Sequence, residues 1–272
     1  MSEPLQINIE NVVRNKAPRH AKKIPQWVFR RLEKIICQKE MNQVLVNIHG
    51  NEGIDFADAL LKALNVTLRI EGAENLPETG RYTFASNHPL GGFDGISLIS
   101  ALGKKYHGKL KVLVNDILMY LKPLAPVFLP INKYGAQAKE STQSIQEAYD
   151  SDDQILVFPA GLVSRLQKGG IKDLEWKKAF IAKAIQSQRD IIPIYFEGLN
   201  SPFFYRFAKF RKAIGLKFNI EIIFLPSELM KSRNKTFTIH IGKPIPWQTF
   251  DKSKSLNEWA AFVKNQVYHI KA

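Results

Sequence analysis

In the stretch NHPLGGFD, residues 87–94, His88 and Asp94 are separated by Pro89, Leu90, Gly91, Gly92 and Phe93. An aspartate that accepts a hydrogen bond from one imidazole nitrogen fixes the tautomer and makes the other nitrogen a better general base. Gly91 and Gly92 permit tight or left-handed backbone and present N–H groups to a ligand. No protein nucleophile accompanies the pair. The one cysteine, Cys37, falls in a distant helical pattern, and no Gly-x-Ser-x-Gly elbow occurs. A His-Asp pair without a nucleophile suits activation of a substrate hydroxyl that attacks an already activated acyl group. The same residues also read as a helix-capping aspartate and a satisfied core histidine, and two polar residues alone do not decide between these.

A second stretch, DDQILVFPAGLVSR, carries an apolar run into Phe158 and Pro159 and then Gly161, Ser164 and Arg165. It is a second glycine loop after a strand, and its arginine is suited to phosphate or another anion. A third, PFFYRFAKFRKAIGLKF at 202–218, holds five basic residues, six aromatics and no acid. On a helix, Phe203, Phe207, Phe210 and Ile214 form one stripe, while Arg206, Lys209 and Lys212 lie on the other side. That pattern fits an interfacial helix on anionic lipid, with Phe203, Phe204, Arg206, Phe207, Lys209, Phe210, Arg211 and Lys212 as the contact residues. It equally fits an amphipathic helix packed on a sheet. Trp27, Arg30, Arg31 and Lys34 would add to a membrane face.

These residues need a frame. Strands fit Val66–Ile70, Tyr82–Ala85, Leu110–Val114, Val127–Ile131, Gln154–Phe158, Ile191–Phe196, Ile220–Leu225 and Thr236–Ile241. Helices fit 25–37, 53–65, Asp94–Leu102, Ala136–Tyr149, Leu174–Gln188 and Pro202–Ile214, with Trp176, Phe180 and Ala184 as a core stripe. Alternation of near-continuous apolar strands with helices predicts an α/β fold around a buried sheet, with His88 exposed where a strand meets a loop. Residues 1–24 read as a polar, basic arm, and the first sixty or so residues as a helical section before the sheet. His240, on the last of these strands, reads as exposed or structural.

The 272 residues suffice for a sizeable core, and 39 Lys+Arg against 25 Asp+Glu give a net charge of +14. That excess favours polyanions: nucleic acid, anionic lipid, or phosphorylated and acyl-carrier substrates. One cysteine excludes an internal disulfide and a cysteine metal cluster. No secretory apolar stretch opens the chain, and no apolar run approaches the ~20 residues that span a bilayer. The expectation is a soluble or peripheral protein on the cytoplasmic side of a membrane.

The blocks NHPLGGFD, VFLPINKYG, FPAGLVSR and IIPIYFEG resemble, in order and spacing, those of the glycerolipid acyltransferase family of the lysophosphatidic acid type. The resemblance covers about residues 66–245. The five-residue separation of His88 from Asp94 and the alanine at position 160, where a glutamate is usual, are similar to the haemolysin-like and lyso-ornithine-lipid O-acyltransferase branch. They favour an aminolipid or other lysolipid acceptor. The resemblance implies a layered acyltransferase domain at 66–272 around a mixed sheet, after a basic helical section at 1–65. It implies His88 as base, held by Asp94, and acyl-CoA or acyl carrier protein as donor, with no metal or redox cofactor. Asn87, Gly91, Gly92, Asn132, Lys133, Phe158, Pro159, Gly161, Ser164 and Arg165 would line the substrate site. Arg165 and Lys133 would hold an anionic head or carrier phosphate, and N–H groups near Gly161 the oxyanion.

Two other readings stand beside this one. A non-catalytic basic protein would bind membrane or nucleic acid. Nucleic acid rests on charge alone, since no helix-turn-helix, zinc-finger or RNP pattern occurs, so no nucleic-acid partner is expected. A lipid hydrolase would direct the same pair at water, without the usual serine or cysteine.

Overall fold

Buried side chains that alternate with period two build the centre of the molecule. The computed structural model describes residues 4–16, 24–131, 136–213, 215 and 220–270. Strands β1 (Thr67–Glu71), β2 (Tyr82–Ser86), β3 (Leu110–Asn115), β4 (Phe128–Ile131) and β5 (Gln154–Val157) enter one sheet. The short strands β6 (Arg165–Gln167) and β7 (Gly170–Lys172) form a separate hairpin, and β8 (Asp190–Phe196) and β9 (Thr236–Ile241) complete the sheet. Its order is β1-β9-β8-β2-β5-β3-β4, with every pair parallel except β8 with β9. The expected mixed sheet is therefore present, and β2 is its middle strand.

The helices are α1 (Ile9–Lys16), α2 (Gln26–Ile35), α3 (Gln38–Asn47), α4 (Gly53–Ala63) and α5 (Gly92–Lys105) in the first part of the chain. They continue as α6 (Ala136–Asp150), α7 (Ala179–Ser187), α8 (Pro202–Ala213), α9 (Leu225–Met230) and α10 (Leu256–His269). Phe84, Leu156, Ile192 and Ile194 point to one face of the sheet, where they join Leu60 of α4 with Leu98 and Leu102 of α5. Their neighbours Ala85, Ile155 and Ile191 point to the other face and meet Tyr149 of α6, Ile181 of α7 and Val263 of α10. Each strand thus supplies both layers, as a sheet covered by helices on both faces requires. Helices α3 and α4 belong to the same apolar cluster as the sheet.

Arg189, fully buried just before β8, holds the opposite end of the sheet to the site. Its guanidinium donates to the carbonyls of Tyr149 (2.9 Å), Asp153 (2.6 Å), Ser151 (2.6 Å), Ala148 (3.2 Å) and Tyr82 (3.5 Å). It satisfies carbonyls left over at the C-terminal end of α6. Burial pushes its pKa down to about 10.

Three sequence expectations are corrected. The apolar run Ile220–Leu225 is not a strand but a 3-10 turn, Ile220–Phe224, leading into α9. Pro226 suits the first turn of a helix, and Glu221 inside the run is fully buried against two arginines. The helix expected from Leu174 begins at Ala179, because tertiary bonds claim the preceding residues. Trp176 Nε1 donates to Asp173 (2.9 Å) and the Lys177 N–H to the Pro159 carbonyl (3.0 Å). Trp176, Phe180 and Ala184 are all buried as a core stripe nonetheless. The arm includes α1, with Ile9 buried and Ile7 bonded through both N–H and C=O to the Asn42 amide. His240 takes the structural one of its two expected places, buried with Glu71 at 3.1 Å and Glu197 at 3.4 Å.

Candidate active site

The carboxyl end of the middle strand runs straight into the His88 loop. Asn87 locks that end in place: its Oδ1 accepts the Phe196 N–H at 2.6 Å and its Nδ2 donates to the Phe196 carbonyl at 3.0 Å. The pair of bonds extends the β2–β8 pairing one step past the strand. Asn87 is buried, so it braces the site from below rather than facing a substrate, which corrects its expected place.

His88 is then gripped through its backbone. Its N–H donates to Asp173 Oδ1 (3.2 Å), and its carbonyl accepts the Ser164 N–H (2.7 Å). Ser164 Oγ donates to the same Asp173 oxygen at 2.5 Å. Phe158 lies against the imidazole with ring centroids 4.3 Å apart. Only 19% of the His88 side chain is exposed. Ser164 is buried and committed to Asp173, so its expected substrate contact becomes a positioning one.

Asp94 completes the pair from the first turn of α5. Its Oδ1 lies 2.9 Å from His88 Nδ1, within hydrogen-bonding distance but off the ideal line. The fully buried carboxylate also accepts the Gly95 N–H at Oδ1 (2.8 Å) and the Leu90 N–H at Oδ2 (2.9 Å). The five-residue spacing closes because Gly91 adopts φ +75°, where a Cβ would stand 2.9 Å from Val163 and 3.0 Å from Leu225. Gly92, the first residue of α5, is exposed beside it.

Burial pulls the His88 pKa down, but the charge and hydrogen bond of Asp94, reinforced by the charge of Asp173, outweigh it. The imidazole therefore titrates above its ordinary value, although Arg165 opposes this. Burial pushes the Asp173 carboxyl up, against the hydrogen bonds from Ser164 and Trp176. With Nδ1 turned to Asp94, Nε2 is the nitrogen left to take a substrate proton.

Arg165 follows Ser164 and reaches Glu221 at 2.8 Å, with a second bond to the Val163 carbonyl at 2.6 Å. Arg211 of α8 meets the other oxygen of Glu221 at 2.8 Å. Phe158 borders the site, Gly161 is exposed, and Pro159 is buried. The Gly161 N–H closes a turn onto the Phe158 carbonyl (2.9 Å), so the oxyanion donor expected there is not this N–H. Asn132 and Lys133 lie outside the described residues, as does the side chain of Lys212.

The membrane expectation for α8 divides. Phe203, Arg206, Lys209 and Phe210 are exposed, and Phe207 is partly covered by Phe203 and Phe224. Phe204 and Arg211 are buried, which corrects their assignment to a lipid-facing surface: the helix turns Phe204, Tyr205, Ala208 and Arg211 inward. Trp27, Arg30, Arg31 and Lys34 are all exposed on α2. No helix among the described residues is long and apolar enough to cross a membrane. Sequence reasoning missed Asp173 and Glu221, single acids with no local motif. Both lie near predicted residues only through the fold.

An imidazole 2.9 Å from a buried carboxylate thus stands at the carboxyl end of the middle strand of an α/β sheet, an arrangement suited to acid–base chemistry. A family model described as acyltransferase matches residues 11–272, and the chain belongs to that family. It is 51% identical over 264 residues to the lyso-glycine lipid O-acyltransferase of Bacteroides thetaiotaomicron, covering 97% of each chain. It is 50% identical over 264 residues to the protein of that name from Phocaeicola vulgatus, covering 97% of this chain and 95% of that one. Among solved structures, it is similar to the 1-acyl-sn-glycerophosphate acyltransferase PlsC of Thermotoga maritima. That match has 18% identity and a TM-score of 0.49 over 80% of this chain and 78% of the other.

Proposed function

We propose that this acyltransferase moves a fatty acyl chain from a thioester donor, acyl carrier protein or acyl-CoA, to the hydroxyl of a lysolipid with a glycine head. The observation that carries the reading is the His88–Asp94 pair, at 2.9 Å, in a chain half identical to two lyso-glycine lipid O-acyltransferases over nearly its whole length. Ser164, the hydroxyl on the loop that holds His88, donates its hydrogen bond to Asp173 and is not set up as a nucleophile. Transfer is therefore direct.

In the proposed reaction, His88 Nε2 takes the acceptor hydroxyl's proton while Asp94 steadies the imidazolium through Nδ1. The acceptor oxygen attacks the thioester carbonyl. The tetrahedral oxyanion collapses, the C–S bond breaks, and the imidazolium returns the proton to the leaving sulfur. Arg165 holds the acceptor's anionic head. The exposed face of α8, with Phe203, Arg206, Lys209 and Phe210, rests on anionic lipid at the cytoplasmic face, so the acceptor need not enter water. Lyso-glycine, lyso-ornithine and lysophosphatidic acceptors, each offered with both donors to purified protein, test the reading. An ester product from the glycine acceptor is expected; transfer to none of the three overturns it.

A further inference from the structure

Two arginines converge on one glutamate beside the His88 loop. Glu221 is fully buried, and Arg165 and Arg211 reach its two oxygens at 2.8 Å each. The trio sums to one positive charge. Arg165 follows Ser164 in sequence, and the Ser164 N–H holds the His88 carbonyl at 2.7 Å. The charge therefore stands one residue from the serine that grips the His88 loop. In a lysolipid, the anionic head lies only a few bonds from the hydroxyl to be acylated.

We propose that Glu221 is a specificity-determining residue: by cancelling one guanidinium charge it matches the site to a singly charged carboxylate head and disfavours a phosphate monoester. This rests on the acyl-transfer reading above. A glycine head joined to its chain as an amide carries one ionised group, its carboxylate. A phosphate monoester carries about 1.5 to 2 negative charges at neutral pH. An acid set between the arginines repels either head, and repels the more highly charged one more.

Arg165 keeps capacity for such a head. A guanidinium has five N–H donors, and the hydrogen bonds of Arg165 run to Glu221, to the Val163 carbonyl and, at 3.4 Å, to the Ser164 carbonyl. The Phe204 ring, 5.7 Å from its guanidinium carbon, walls one side, and Tyr205 stands near. A planar fork held in that way is preorganised for a carboxylate. Burial lowers the Arg165 pKa, while Glu221 counters this.

The test is a competition assay, with an N-(3-hydroxyacyl)glycine and a lysophosphatidic acid of matched chain length offered together to one acyl donor. The ratio of the two products gives the ratio of kcat/KM. Glu221→Gln raises the trio's charge by one and should shift that ratio toward the phosphate acceptor about tenfold. Arg211→Met lowers it by one and should shift the ratio about tenfold the other way. A purely structural trio would move both variants in the same direction or neither, and either result overturns the proposal. If one variant fails to fold, the sign of the shift in the other decides. Parent protein that acylates none of the three acceptors with either donor overturns the acyl-transfer reading itself, whereas an active parent with an unmoved ratio overturns only the role of Glu221.

Discussion

Replacing Asp94 by asparagine keeps the shape of the site and removes its buried charge. In the parent, the carboxylate lies 2.9 Å from His88 Nδ1 and is fully buried. When the imidazole takes the acceptor's proton, its charge forms about 4 Å from that of the carboxylate, a separation worth about 4 kcal/mol at the effective dielectric of a protein. Each 1.36 kcal/mol is a factor of ten in rate, so Asp94→Asn should lower kcat/KM roughly a thousandfold. The amide also meets a backbone donor whichever way it turns, since Gly95 N–H faces Oδ1 and Leu90 N–H faces Oδ2. That mismatch should cost about 1–3 kcal/mol of stability. The pH profile separates the two effects. A general base works unprotonated, and the parent's imidazole titrates above its ordinary value. The acid limb of kcat/KM should therefore move to lower pH in the variant. Linkage carries the same sign: the raised pKa stabilises the fold below histidine's ordinary pKa, and that contribution is lost as pH rises through the raised value. Rates on a detergent-soluble acceptor across pH, with a denaturant midpoint, measure all three. A variant within tenfold of the parent, with an unmoved acid limb, would refute the dyad.

Gly91→Ala should lower stability by about 1–3 kcal/mol, because φ +75° strains any side chain and the new Cβ meets Val163 and Leu225. Thermal melts and turnover should fall together, since the same turn sets the His88–Asp94 distance. Arg189→Met should cost about 3 kcal/mol in urea unfolding while leaving KM alone, because it strips the carbonyls of Tyr149, Ser151 and Asp153 of their donor. Near-parental stability would show that those carbonyls find other partners. Arg206→Glu with Lys209→Glu should weaken binding to anionic vesicles by about 2 kcal/mol or more at moderate salt. Activity on a detergent-soluble acceptor should hold, and unchanged co-sedimentation would place the lipid contact elsewhere.

The strands were the most legible part of the sequence, because apolar runs such as ILVF and IIPIYF are buried on both faces and have few other uses. His88 and Asp94 were legible for a related reason: the turn between them is written in Pro89, Gly91 and Gly92. Helix α10 was missed although Ser255 and Glu258 form a capping box that the letters SLNE spell out. Ile220–Leu225 misled because an apolar run reads as a strand wherever it lies, whereas only the fold shows it packed on α8 through Glu221. Asp173 and Glu221 could not be found locally. An isolated acid becomes a brace for a histidine loop, or the partner of two arginines, only when tertiary structure brings them together. The basic-aromatic stretch was half legible, since a helix of mixed phenylalanine and arginine does not declare which of them it turns inward.

The most direct test of direct acyl transfer through His88 is the diacyl product itself, followed by mass spectrometry with acyl carrier protein thioester and a lyso-glycine acceptor. Parent protein and His88→Ala should be run in parallel, with intact protein mass recorded in the same samples. The expected result is ester product from the parent, none above background from a folded His88→Ala protein, and no acyl group on the parent chain. Product formation by His88→Ala at a near-parental rate, or an acylated protein that accumulates before product, would contradict the account.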